Sequence, residues 1–151
     1  RQAHCTQRQL MQSSRTPSTL GFVVVIVVAV VLLVGILIEG GTILLNLRAA
    51  DNGLRAAAEA AGAAVETREE NGYVVVALRE VDGPEGVSAL TAAQTQIDAR
   101  GLADSVRLDA LTLVDNTVLA SATCRVPAVL GHVIGFSYYD FALTALADAG
   151  P

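Results

Sequence analysis

The side chains that could act as nucleophile and base lie in the last third of the chain. Cys124 and His132 are the only cysteine and histidine after the N-terminal residues His4 and Cys5. A thiol nucleophile needs a base within hydrogen-bond reach, and the spacing of this pair does not require that they meet. Because Cys124 lies among small apolar residues of a predicted strand, we expect a buried core thiol. An unpaired thiol outside the cytoplasm also leaves intermolecular pairing open.

His132 could also form a hydrolase triad with two further polar residues, Ser137 and Asp140. No nucleophile elbow surrounds the serine, so the sequence does not indicate a hydrolase. The spacing of Asp82 and Glu85 does not match a calcium loop, and the glycines do not match a phosphate loop. We therefore predict no catalytic residue, no cofactor site and no metal site, and we expect that the protein is not an enzyme.

The composition points to the membrane. Of 151 residues, 52% are apolar and 17% are charged, and the net charge is −5 with no lysine at all. Soluble domains carry about 25% charged residues. Nucleic-acid binding is not expected, because a phosphate-binding surface needs a net basic patch. Two cysteines and two histidines are too few for a structural zinc cluster.

One uninterrupted apolar run, Phe22–Ile38, accounts for the excess. The uncharged stretch from Thr16 to Ile38 spans about 35 Å as a helix, enough for a hydrocarbon core of about 30 Å. We predict a single transmembrane helix over residues 20–38. The alternatives are a buried core element and a cleaved secretory signal, but a signal has an apolar region of about 7–15 residues followed by small residues.

The charges that flank the run predict its orientation. Arg1, Arg8 and Arg15 precede it without any acid, whereas Glu39 follows it at once. Positive charge is retained on the cytoplasmic side. We expect residues 1–19 to form a flexible basic leader in the cytoplasm and residues 40–151 to lie outside.

The remaining chain predicts an α+β fold. Residues 39–67 are an Ala-rich helical extension, and residues 68–151 form a small head with a mostly antiparallel sheet of about four strands and one or two helices. The expected inward face of the extension is Ile43, Leu44, Leu47, Leu54, Ala57, Ala58, Ala61 and Val65. The expected head elements are a turn at 69–72, a strand at 73–78, a helix at 87–100 with Leu90, Ala93 and Ile97 inward, a hairpin of 106–113 and 117–126, a short helix at 128–136, and a strand at 138–146.

Glu39 has two interpretations at the end of the apolar run. Its carboxylate either reaches interfacial water or pairs with a partner inside a helix bundle, because acids near lipid are costly. Gly21, Gly40 and Gly41 are candidate positions for helix packing or processing, since small residues allow helices to approach closely.

The segment Gly35-Ile36-Leu37-Ile38-Glu39-Gly40-Gly41, with the Ala-rich stretch 56–63, resembles the TadE/TadG-like family. These are pilin-like proteins of bacterial tight-adherence pilus systems. The resemblance covers residues 21–65. It implies a pseudopilin or minor pilin in the bacterial cell membrane that acts in assembly, with other pilin-like or pilus-assembly subunits and membrane lipid as partners.

The chain departs from processed pilin-like members at one position. Those members carry an acid five residues after the cleavage glycine, and Ile26 stands five positions after Gly21 here. We therefore predict that the leader is not removed at Gly21. The alternative functions are an accessory subunit of another envelope complex and a membrane-anchored head that binds a small ligand.

Overall fold

The computed structural model describes residues 19–84 and 86–150, so the predicted leader lies outside the described residues except for Thr19. The chain divides into two units, residues 1–35 and 36–151. One helix, α1 (Thr19–Ala63), runs through 45 residues. Its β-branched apolar residues adopt a helix as expected for a membrane segment, in which the backbone must satisfy its own hydrogen bonds.

The N-terminal part of α1 is the apolar run. Among the described residues, α1 is the one helix long and apolar enough to cross a membrane. No residue in its most apolar stretch of 18 residues is buried. Large side chains from Phe22 to Ile38 are exposed on every face of the helix. The predicted apolar helix is confirmed, and it is compatible with single-pass membrane anchoring.

The C-terminal part of α1 belongs to the core of the head. Its buried face recurs at intervals of three and four residues, as an amphipathic helix requires, and comprises Ala50, Leu54, Ala57, Ala58 and Ala61. Leu44, which we expected on this face, is 51% exposed. The helix continues through Asn52 and Gly53. A Cβ at Gly53 would collide with the Leu102 side chain, so the glycine allows close packing at this point.

A hairpin follows α1. Strand β1 (Val65–Glu70) pairs antiparallel with β2 (Tyr73–Leu78). The predicted turn at 69–72 is shorter in the structure, since only Asn71 and Gly72 form it, with φ of 52° and 81°. This two-residue turn suits Asn-Gly because both positions need positive φ. Glu69 and Glu70 therefore lie in β1. Helix α1 ends at Ala63, before the predicted residue 67.

Helix α2 (Ala89–Ala99) begins at an N-cap serine, Ser88, whose hydroxyl accepts from the Thr91 N–H. Ala93 and Ile97 are buried as predicted, but Leu90 is 61% exposed and Ala89 is buried instead. Positions 89, 93 and 97 are four residues apart and share one helix face, which leaves Leu90 beside it. Asp82 accepts from the Ser88 N–H and the Thr91 hydroxyl, so it holds the start of α2.

The second sheet has the order β3-β4-β5 and consists of β3 (Val106–Val114), β4 (Thr117–Pro127) and β5 (Tyr138–Asp148), all antiparallel. Asp115 and Asn116 form the predicted turn, with φ of 49° and 66°. Alternate residues of the central strand β4 are buried with the inner face of α1, namely Val118, Ala120, Ala122, Cys124 and Val126. The predicted short helix is reduced to one 3-10 turn, Gly131–Ile134.

These elements confirm the predicted α+β class. The described residues contain five strands in two sheets of two and three, rather than one sheet of about four. The extra strand is β1, whose sequence Val-Glu-Thr-Arg-Glu-Glu lacks the apolar alternation of a half-buried strand. It is stable as a strand because it pairs along its whole length with the Val-rich β2.

Candidate functional site

Glu39, the first charged residue after the apolar run, accepts three hydrogen bonds inside the head. Its Oε1 accepts from the backbone N–H of Val129 and from the Tyr139 hydroxyl, and its Oε2 accepts from the backbone N–H of Leu130, all at 3.2 Å. The residue is only 8% exposed. A carboxylate has acceptor capacity for all three donors, so this buried group is satisfied.

The partners of Glu39 come from the β4–β5 loop, residues 128–137, and from the start of β5. Two backbone bonds close the loop, Ala128 N–H to Ser137 O at 3.0 Å and Phe136 N–H to Gly131 O at 2.8 Å. A Cβ at Gly131 would lie 2.5 Å from the Ala128 Cβ and 3.0 Å from the Phe136 carbonyl oxygen. The tight loop therefore requires glycine at position 131.

Tyr139 is the only side-chain donor that the structure shows on Glu39. Loss of solvent around the phenol, the hydrogen bond to Glu39 and the charge of that residue raise the pKa of Tyr139. The phenol therefore keeps its proton at neutral pH and donates it to the carboxylate. Neither interpretation of Glu39 from the sequence included this arrangement, in which the carboxylate accepts hydrogen bonds from two backbone N–H groups and a hydroxyl of its own chain.

Gly40 and Gly41 lie beside Glu39 on α1. Both are exposed, and a Cβ built on either would meet no heavy atom within 4 Å. The described chain itself therefore leaves room for a side chain at both positions. Gly21 is also exposed and lies within α1, in the N-terminal unit.

Cys124 is a buried thiol, as predicted. It is 1% exposed on the inner face of β4, and burial raises the pKa of the thiol. A raised pKa disfavours the thiolate, which is the reactive form. His132 is exposed in the 3-10 turn, and Cys5 lies outside the described residues.

Asp140 binds an arginine rather than the two residues, His132 and Ser137, with which the sequence allows but does not indicate a hydrolase triad. The Arg125 guanidinium donates to the two Asp140 oxygens at 2.9 and 3.4 Å across the β4–β5 pair, and it lies 5.6 Å from the centroid of the Tyr138 ring. The hydrogen bond from Arg125 lowers the pKa of Asp140. No hydrogen bond among the described residues joins Asp140 to His132 or Ser137.

No group of three His, Cys, Asp or Glu side chains within residues 19–84 and 86–150 could hold a metal ion. An open groove of about 630 Å³ lies where β2, α2 and β3 meet, and its lining combines Leu78 and Leu111 with Arg79, Glu80 and Asp109. These side chains give the groove mixed charge without a cluster of one sign.

Comparisons with protein-family models, with curated proteins and with solved structures found no match for this chain. Fold and site together define a class: an α+β head that shares one continuous helix with an apolar segment compatible with a membrane span. The sequence identified Glu39 as the residue to examine, but two of its three donors are backbone N–H groups, which leave no trace in a sequence.

Proposed function

We propose that this protein is a non-enzymatic, pilin-like component, a pseudopilin or minor pilin, of a bacterial tight-adherence pilus or a related secretion system. It spans the cell membrane once, with its N-terminus in the cytoplasm and its head outside, and it acts in assembly. One observation carries the proposal: α1 is apolar and exposed from Phe22 to Ile38, and the same helix supplies Leu54, Ala57 and Ala61 to the core of the head.

The position of Glu39 argues against a cleaved secretory signal. Cleavage directly after the apolar run would cut α1 next to a residue that accepts hydrogen bonds from Val129, Leu130 and Tyr139. A cut before Glu39 would make it the N-terminal residue of a severed helix, and a cut after it would remove the residue that holds the β4–β5 loop. A permanent anchor keeps both the segment and this site.

The exposed pair Gly40 and Gly41 supports a role in assembly. Small residues allow the backbones of two helices to approach closely, and the described chain leaves space around both glycines. In this proposal, a helix of another pilin-like or pilus-assembly subunit packs there.

Leucine substitutions test this proposal. A Cβ at Gly40 or Gly41 would meet no atom within 4 Å outside its own turn of helix. We therefore expect Gly40→Leu and Gly41→Leu to leave the head folded and to block the approach of a partner helix. We expect pilus or secretion output to fall at an unchanged protein level. Glu59→Leu is the matched control, since it adds an exposed leucine to the same helix.

Co-purification from detergent-solubilised membranes identifies the partners. We expect pilus-assembly subunits to be recovered with the wild-type chain and the Glu59→Leu variant, and to be lost with Gly40→Leu. Recovery of an unrelated envelope complex by all three chains would contradict the proposal and favour an accessory subunit.

A C-terminal reporter that is active only outside the cytoplasm tests the orientation, and an inactive reporter on a stable fusion would reverse it.

A further inference from the structure

The β4–β5 loop exposes large apolar side chains to an unusual degree. Val129 is 57% exposed, Val133 83% and Phe136 59%, and Tyr138, the first residue of β5, is 58% exposed. Scattered exposed apolar residues are normal on a protein surface, but a contiguous group in one short loop marks an interaction site.

The charge pattern around the loop sets it apart from the rest of the head. Residues 126–139 form the longest stretch after Glu39 without Asp, Glu or Arg. Arg125 and Asp140 flank this stretch and form an ion pair with each other. The loop therefore presents an uncharged apolar surface, with His132 as its one titratable side chain apart from the tyrosines.

Glu39 places this surface beside the end of the apolar run. The backbone N–H groups of Val129 and Leu130 donate to the Glu39 carboxylate, and Ile38 is the last apolar residue before it. Ile36, Leu37 and Ile38 are exposed. These three residues lie within about one turn, 5 Å, of Glu39 along the helix. The loop and the exposed end of the run are therefore at the same level of α1.

We propose that the β4–β5 loop inserts Val133 and Phe136 into the headgroup region of the same bilayer that α1 crosses. The inference rests on the proposed membrane anchor. The occupant is lipid rather than a protein, because the loop is bound at the level of Ile36, Leu37 and Ile38, which are exposed and face lipid in that anchor. Tyr138, which directly follows the loop, is an aromatic residue of the kind that collects at membrane interfaces.

The head thus contacts the membrane at two points, α1 and the loop, with Glu39 as the bond between them. Two contacts restrict the tilt of the head about the helix, which a single helix alone would leave free. The fixed orientation would present the remaining head surface to other subunits in one direction.

Tryptophan fluorescence tests the insertion, because the chain contains no tryptophan. The full-length Phe136→Trp and Val133→Trp variants are reconstituted into phosphatidylcholine and phosphatidylglycerol vesicles, with or without brominated acyl chains. Val81→Trp is the control for an exposed head position, since Val81 is 74% exposed. It lies two residues after Arg79, whose backbone N–H donates to the carbonyl oxygen of Ala64, the residue after the C-terminal end of α1. Leu33→Trp reports on the anchor.

We expect brominated lipid to quench both loop variants at least threefold more than Val81→Trp, and to quench Leu33→Trp strongly. Quenching of the loop variants at the Val81→Trp level, with Leu33→Trp quenched, would overturn the inference and leave the anchor intact. Blue-shifted emission of the loop variants without quenching would also overturn it, since the loop would then bind protein. Failure to quench Leu33→Trp would overturn the anchor and the inference together.

Discussion

The Tyr139 hydroxyl donates a hydrogen bond to Glu39 Oε1 at 3.2 Å, although the two residues are 100 positions apart in the chain. Together with the bonds from the Val129 and Leu130 amides, this bond joins the β4–β5 loop and the start of β5 to the middle of α1. The residue that ends the apolar run is thus also the residue that fixes the loop of the head.

Removal of the Glu39 carboxylate should loosen the loop. Glu39→Ala leaves two backbone N–H groups and one hydroxyl without their acceptor, and the loss of a bond to a charged group or of a buried partner costs about 1–3 kcal/mol. We expect the free energy of unfolding of the full chain in detergent to fall by about that amount. Hydrogen exchange at the Val129 and Leu130 amides should accelerate.

Two variants control this experiment. Glu39→Gln retains one acceptor oxygen, so its loss of stability should be smaller than that of Glu39→Ala. Glu59→Ala removes an exposed acid of the same helix and should leave exchange in the loop unchanged. Equal exchange rates in wild type and Glu39→Ala would show that the loop holds its conformation without the carboxylate.

The pH dependence of Tyr139 gives a second prediction. Desolvation and the neighbouring Glu39 raise the pKa of Tyr139 in the folded state. A raised folded-state pKa stabilises the fold below the unfolded-state pKa of about 10, and that contribution is lost as the pH rises through the folded-state value. We expect stability to decline in alkaline solution as Tyr139 ionises.

Tyrosinate absorbance measures the ionisation of Tyr139. The difference between the titrations of wild type and Tyr139→Phe isolates Tyr139 from Tyr73 and Tyr138. In the Glu39→Gln background the Tyr139 pKa should move down, because the acceptor loses its charge. An unchanged Tyr139 titration in that background would contradict the assigned contact.

How much of the molecule the sequence predicts depends on how local each feature is. The β3–β4 turn at Asp115-Asn116 and the apolar run are encoded by adjacent residues, and both are confirmed. The spacing of Leu90, Ala93 and Ile97 fits one helix face, but so does that of Ala89, Ala93 and Ile97, the face that the structure buries. The environment of Glu39 was not predictable, since every residue carries a backbone N–H and nothing local indicates which ones a distant carboxylate will bind.

Glycine substitutions in α1 should separate packing in the head from space at the helix surface. A Cβ at Gly62 would lie 2.7 Å from the backbone oxygen of Asp148, whereas one at Gly40 would meet nothing within 4 Å. We expect Gly62→Ala to destabilise the head by about 1–3 kcal/mol through overpacking. Gly40→Ala should be neutral or stabilising by up to about 1 kcal/mol, because alanine favours a helix over glycine. Thermal unfolding in detergent measures both, and equal effects would contradict the close approach at Gly62.

Cys124 should resist alkylation in the folded protein. It is 1% exposed and burial raises the pKa of the thiol, so neither access nor the thiolate form favours reaction. In a Cys5→Ser background, which leaves Cys124 as the one cysteine, iodoacetamide should label the chain only after denaturation.

Cys124→Ala should support normal pilus or secretion output at an unchanged protein level. Complete loss of output would instead assign Cys124 a chemical or cross-linking role.

The leader should remain attached at Gly21. Cleavage there would give Phe22 a new α-amine that is mostly charged at neutral pH, and that charge costs several kcal/mol in lipid unless a carboxylate lies nearby. Pilin-like subunits supply the acid at the position of Ile26. The next acid, Glu39, lies about 20 Å further along the helix. Its carboxylate is 8% exposed and already accepts from Val129, Leu130 and Tyr139.

Mass spectrometry of the chain purified from membranes decides the question. We expect the peptide bond between Gly21 and Phe22 to be intact, with the same mass in cells that lack the prepilin peptidase. A chain that begins at Phe22 only when the peptidase is present would contradict the prediction, and a neighbour staggered along the membrane normal would then have to supply the carboxylate. An intact bond favours a permanently anchored assembly component over a filament subunit. The uncleaved leader keeps its arginines on the cytoplasmic side of the membrane. These charges oppose extraction of the helix from the bilayer.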